Sequence, residues 1–327
     1  MLPFYYIPEY LERAKVTEHL PPTRGFRFLW LLFSIRASLR KKEWVNLFKM
    51  LNPRRFYHAV GRKKFWEFIL LAVFVLFFYG PMLNMVMLAF ANEYSVPHVF
   101  PEAWGFKWWK YIFQQKNLVR SMIQSFVVAL ITTGVSMVLC IPAGYSIARF
   151  KYPGRKIFML SFLLTNAFPK LGIFTSIAVL FYKYNLMGTY TGVVLIHMIH
   201  SMMFMVWLPA SAFRSVHRQQ EEAARDVGAG PVRTFFKVTL PMAMPGISVA
   251  TLYTFLGSME EAQGTMLVGT GKIQTMPVAM YGIVLDSSAV QIGAVFAILL
   301  IIPSVLMIFA MRKYIGPEAI SGGFKMK

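Results

Sequence analysis

The chain has 327 residues, 57% of them hydrophobic, with 30 Phe and 22 Met, and a formal net charge of +20. So apolar a composition excludes an ordinary soluble domain, and a single cysteine, Cys140, excludes a disulfide framework and a cysteine zinc cluster. The basic balance fits either a nucleic-acid binder or a membrane protein whose positive residues crowd its cytoplasmic loops, and the placement of those residues along the chain decides between the two.

Residues 1–64 are polar and basic, with Pro21-Pro22 as a break. The first 20 lack the apolar core of a signal peptide, so the chain is expected to begin on the cytoplasmic side. Residues 26–35 are mostly apolar but only ten long, too short for a span, which needs ~20 residues. The stretch that follows mixes basic and apolar residues at helical spacing. Residues 26–51 are therefore expected to form one or two amphipathic helices on the inner leaflet; an extension packed on other subunits is an equal alternative.

Six apolar runs follow, at 65–91, 122–148, 157–182, 189–212, 242–268 and 290–311, each long enough to cross with some tilt. The expected fold is an all-α integral membrane protein: a basic extension over 1–64, then a domain of six transmembrane helices over 65–327. With the N terminus inside, 27 of the 34 Lys and Arg residues fall in cytoplasmic segments and 6 outside, while Lys170 lies within a span. Leaving out the long N terminus, the inside still holds 13. This asymmetry orients the chain by the positive-inside rule, puts both termini in the cytoplasm and removes the need for a nucleic-acid partner. The outer loop 92–121 carries Trp104, Trp108, Trp109 and Tyr111, a density that suits a short helix at the headgroup level; receiving a binding protein is the functional alternative.

The internal loop 214–241 is rich in charge between two apolar blocks, so it must face water or another protein. Residues 219–227 are mostly good helix formers. Gly228 and Gly230-Pro231 break that helix, and Pro231 suits the first turn of a second short helix over 232–238. Leu240-Pro241 then restarts the membrane domain.

Glu222-Ala223-Ala224, then Gly228, Val238 and Leu240-Pro241 at fixed spacing, resemble the EAA loop of ABC importer permeases, whose pattern is E-A-A-x3-G-x9-I-x-L-P. The departure is Val238, which stands where the family has Ile. The corner Gly144–Arg155 resembles that between the second and third spans of sugar and polyamine importer permeases, as does the stretch from Tyr184. Gly316–Lys325 resembles the tail of maltose-type permeases. The resemblance covers about residues 65–327. It implies one of two permease subunits of a type I, binding-protein-dependent importer in the inner membrane. A second permease, an ATPase dimer that binds ATP and Mg, and an extracytoplasmic solute-binding protein would be its partners, beside membrane lipid. The loop 218–241 would dock on the ATPase through Glu222, Ala223, Ala224, Gly228, Val238, Leu240 and Pro241, and the tail 312–327 would reach the ATPase dimer interface. The tail and the 144–155 corner favour a carbohydrate solute. The wording of residues 224–229 and 275–283 leans to a polyamine or another charged solute, and both stay open.

Polar groups within the spans bear on the path, because ionisable residues in lipid usually face a cavity or a partner. Lys170 follows Pro169 in the third run, with Asn166 a turn before it. Pro169 is expected to kink or break the helix there. Glu260, Glu261 and Gln263 sit in the outer half of the fifth run. These five are candidates for the translocation path; a structural Lys170–Glu260 or Lys170–Glu261 pair is the alternative. His197 and His200 share a helix face but lack a third metal ligand nearby, so hydrogen bonding between spans, or facing the path, is expected instead. Residues 269–272 hint at a phosphate loop and fail it: Met266 stands where a glycine is needed, and Ile273 where Ser or Thr is needed. A transport subunit without a cofactor or metal of its own is expected, with an integral-membrane enzyme as the distant alternative.

Overall fold

The computed structural model describes residues 62–95, 98–286 and 290–314; the expected amphipathic helices of residues 26–51 and most of the tail lie outside these. The described residues fall into two units, one ending at Leu83 and one beginning at Asn84. Helix α1 (Arg62–Ala89) begins in the first and ends in the second. From Phe68 to Leu83 it is apolar on every side, and Leu70, Leu76 and Phe77 are exposed. A helix hydrophobic all round belongs in a membrane or a core.

The second unit opens with a two-stranded antiparallel hairpin, β1 (Ala91–Glu93) and β2 (Ala103–Trp104), followed by α2 (Lys107–Gln114). This is the aromatic loop 92–121, and it is more built than a headgroup belt. Trp109 Nε1 donates to Ala89 O at 2.7 Å, Trp108 Nε1 to Asn92 O at 3.2 Å, and the Asn92 side chain accepts from Lys107 N. Phe90 stacks on Trp109.

Then come α3 (Lys116–Arg149), α4 (Arg155–Ala167), α5 (Lys170–Lys183), α6 (Tyr190–Ser215), α7 (Arg218–Asp226), α8 (Pro231–Thr234), a π-helical turn (Phe235–Thr239), α9 (Leu240–Glu260), α10 (Gln263–Val268), α11 (Met276–Asp286) and α12 (Val290–Met311). Among the described residues, five helices are long and apolar enough to cross a membrane: α1, α3, α6, the run Pro231–Glu260 and α12. The third expected span is two helices rather than one. Pro169 donates no N–H and forces Phe168 into an extended conformation (φ −90°, ψ 153°). The fifth is also divided, at Glu261-Ala262, a break that neither proline nor glycine announces. Residues 276–286, expected as part of an outer segment, form the apolar helix α11, packed against α12 and α3.

Helix α6 is the hub. In its apolar window 56% of residues are buried, against 33% in α3 and in Pro231–Glu260. Thr189 caps it by accepting from Gly192 N at 3.1 Å. It packs along α3 and α9, whose small residues let the backbones close in. A Cβ on Gly144 of α3 would lie 3.1 Å from Ala210 N, and one on Gly246 of α9 would lie 2.6 Å from Ala212 Cβ. Core clusters run along this three-helix contact, through Cys140, Ile147, Met205 and Ala250, then Phe213, Val216, Ala243 and Ile247.

Candidate functional site

Two groups of residues were expected to matter, the loop 218–241 and the polar residues inside the spans. In the loop, α7 forms over the predicted stretch, and its C-terminal end closes with Val227 N on Ala223 O and Gly228 N on Arg225 O. Gly228 has φ +87°, where only glycine is unstrained, and nothing lies within 4 Å of the Cβ it lacks. The turn therefore needs glycine for its backbone, and the space beside it is open. Pro231 opens α8 as expected. Helix α9 begins at Leu240, where the membrane domain is expected to restart, and it does so without interrupting the helix. The chain stays helical from Pro231 to Glu260, and Leu240 N reaches Phe235 O in an i→i−5 bond. Pro241 has no N–H for the Lys237 carbonyl and its ring crowds it; one widened turn accommodates this without ending the helix.

The motif residues Glu222, Ala223, Gly228 and Pro241 are exposed, whereas Ala224, Val238 and Leu240 are half-buried. Val227, Val232 and Phe236 add exposed apolar surface beside them, Val227 at 86%. The inward anchor of α7 is the preceding residue, Glu221. Its Oε1 accepts from Arg149 Nη2 at 2.6 Å and from Thr239 Oγ1 at 2.8 Å, and the two charged side chains are 9% and 8% exposed. The same Arg149 nitrogen donates to Val216 O at 3.0 Å, and Arg218 returns a bond to Arg149 O at 3.0 Å. Four residues before Arg149, Tyr145 packs edge-on against Phe213 and Phe235, with centroids 5.3 Å and 4.9 Å away. Sequence reasoning missed Glu221 and Arg149. Arg149 enters the sequence reading as one of the inside charges and as part of the Gly144–Arg155 corner, without a role of its own.

Inside the spans, Lys170 stands at the first position of α5, and its Nζ lies 3.3 Å from His200 Nε2 of α6. No ion pair joins it to Glu260 or Glu261 among the described residues. Glu260 and Gln263 are exposed. Glu261 is buried, and its Oε1 accepts from Gly264 N at 2.9 Å, capping α10 after the break. Asn166 is exposed, and its Nδ2 donates to Phe162 O and Met203 Sδ. His197 is buried between Ser258 Oγ (2.8 Å from Nδ1) and Thr265 Oγ1 (2.7 Å from Nε2), so it ties both sides of the break in the fifth span to α6. Among the described residues, no three metal-ligating side chains gather. The arrangement supplies single hydrogen-bonding and charged groups at two helix breaks that lean on one central helix. Helix ends inside a membrane domain are tolerated where protein or a cavity satisfies them.

Residues 140–320 match the family model described as "Binding-protein-dependent transport system inner membrane component". The chain is similar to the diacetylchitobiose uptake system permease protein NgcG of Streptomyces coelicolor, 28% identical over 258 residues, covering 75% of this chain and 83% of that one. It is also similar to the trehalose transport system permease protein SugB of Mycobacterium tuberculosis, 26% identical over 231 residues, covering 69% and 84%. Among solved structures, a chain of a bacterial ABC transporter that imports the acidic polysaccharide alginate superposes with a TM-score of 0.59 at 18% identity, covering 76% of this chain and 95% of that one.

Proposed function

Because the chain belongs to the family of inner membrane components of binding-protein-dependent transport systems, we propose that it is the permease subunit of an ATP-driven importer of a carbohydrate or oligosaccharide. A separate ATPase dimer drives it through residues 218–241, a second permease completes the path, and an extracytoplasmic binding protein delivers the solute. Both termini lie in the cytoplasm, as the charge asymmetry requires.

The observation that carries the coupling role is the two-sided loop. One side of α7 is fastened to the membrane domain through Glu221, while Glu222, Ala223, Val227, Gly228 and Val232 stand exposed. Exposed valines rimmed by charge, on a helix at a membrane domain's water face, suit another protein's surface. The sugars in the relatives' names support carbohydrate over polyamine. Lys170, Asn166, Glu260 and Gln263 border the path, and Glu261 shapes it by holding the break of the fifth span. The permease binds no nucleotide: the ATPase partners hold ATP and Mg.

Two measurements test this. In the assembled transporter, Glu222→Lys and Gly228→Val should reduce co-purification of the ATPase and solute-stimulated hydrolysis while the spans still insert. Wild-type behaviour in both variants would remove the loop as the transmission element. A thermal-shift screen of the cognate binding protein against oligosaccharides, uronides and polyamines should return a sugar; a polyamine hit alone would overturn the carbohydrate assignment.

A further inference from the structure

A docked loop moves a membrane domain only through bonds that join the two. On one side, α7 continues from α6 through Val216 and His217; on the other, it reaches α9 through the turn at Gly228, α8 and the π-helical turn. The turn at Gly228 meets nothing within 4 Å of its missing Cβ, so it is not braced there. The firm attachment lies elsewhere. Arg149, the last residue of α3, holds Glu221 of α7 and the Val216 carbonyl through one nitrogen, and Arg218 of α7 holds the Arg149 carbonyl in return. Thr239 closes the set by donating to the same Glu221 oxygen from the base of α9. A single carboxylate thus joins the coupling helix to two membrane helices that are 72 and 18 residues away in sequence.

We propose that Arg149 and Glu221 are the positioning pair through which the stroke of α7 enters the membrane domain, and that α3 is the helix it drives. This rests on the reading of residues 218–241 as the ATPase-docking loop. The pair is nearly buried, so it is little screened and holds one geometry. Arg149 is also the end of a 34-residue helix that packs along α6 and α9, so displacement at its foot is carried along its length. The Glu221 side of the loop is separate from its exposed side, which separates docking from transmission by residue: Glu222 and Gly228 meet the ATPase, Glu221 and Arg149 pass its motion on.

A merely structural pair would behave differently when removed. Taking away one partner strands a nearly buried charge, and removing both relieves that cost. If the pair only stabilised the fold, Arg149→Ala/Glu221→Ala would regain both yield and transport. As a transmission element, the double variant regains yield and stays uncoupled. The experiment uses the complete transporter in proteoliposomes, loaded with its binding protein and the sugar identified by the thermal-shift screen, with uptake and ATP hydrolysis measured together. For Arg149→Ala and for the double variant, the ATPase should co-purify and hydrolyse ATP while sugar taken up per ATP falls about tenfold, within the span typical of coupling between sites. Arg149→Lys, which keeps a donor for both acceptors, should retain most of the transport. Wild-type uptake per ATP in the double variant would overturn the proposal, as would loss of ATPase co-purification in Arg149→Ala, since the pair would then serve docking alone. Failure of the docking reading shows separately, as wild-type behaviour of Glu222→Lys.

Discussion

Replacing His197 with Phe tests whether the break in the fifth span is held by α6. Phe fills a similar volume, so the change removes two hydrogen bonds without opening a large cavity. It leaves Ser258 Oγ without its described partner, while Thr265 Oγ1 keeps only a 3.5 Å contact to Glu261 O. Interhelical hydrogen bonds in membrane proteins average about 0.6 and reach about 1.7 kcal/mol, so two of them amount to about 1 to 3 kcal/mol. At roughly 2 to 4 °C per kcal/mol for a large domain, the unfolding midpoint should fall by about 2 to 12 °C. Cys140 is the chain's single cysteine and is 3% exposed, so it reports the unfolding of this subunit. A thiol-reactive dye would follow the assembled transporter during heating, with Cys140→Ala as the blank. Adding Ser258→Ala to the Phe variant should restore part of the loss, because it removes the stranded hydroxyl. A wild-type midpoint in His197→Phe would refute the claim that this histidine fastens the break.

Lys170→Met should assemble at wild-type yield, because Lys170 has no carboxylate partner among the described residues, and sugar uptake should fall roughly tenfold, the value of one charge-assisted hydrogen bond. Unchanged uptake would take Lys170 off the path. In a Cys140→Ala background, a cysteine at Ser215 should be labelled only from the cytoplasmic side and one at Gln114 only from outside; the reverse would overturn the charge-based orientation.

What the sequence made legible depended on how local each cause was. The break of the third span could be expected because Pro169 acts on its own neighbours. The turn at Gly228 could be expected for the same kind of reason, and its φ of +87° meets it. The break at Glu261 could not be: its carboxylate caps Gly264 three residues on, but the His197 tether that holds both sides acts through folded geometry, across 61 and 68 residues. The spacing that marked Glu222 hid Glu221 beside it: two adjacent glutamates on a helix point about 100° apart, and which one turns inward is decided by Arg149, far away in the chain. Helix α11 escaped because eleven residues are too few to cross a bilayer, and only its packing against α12 and α3 reveals it.

The π-helical turn at Phe235–Thr239 carries a consequence for phase. An α-helix advances about 100° per residue, and a turn closed by an i→i−5 bond holds one residue more than an α turn. Every side chain from Pro231 to Thr234 is therefore rotated by about one residue's arc relative to the face α9 presents to α6. That arc leaves Thr239 turned inward to meet Glu221 while Val232 and Phe236 face out. Deleting one residue from this turn would let the helix wind regularly through it and would swing the whole 218–234 segment about the axis of α9. The motif letters would be almost intact in sequence, but Glu222 and Gly228 would be aimed in a different direction. The spacing of nine residues between Gly228 and Val238 is thus an angular setting as much as a length.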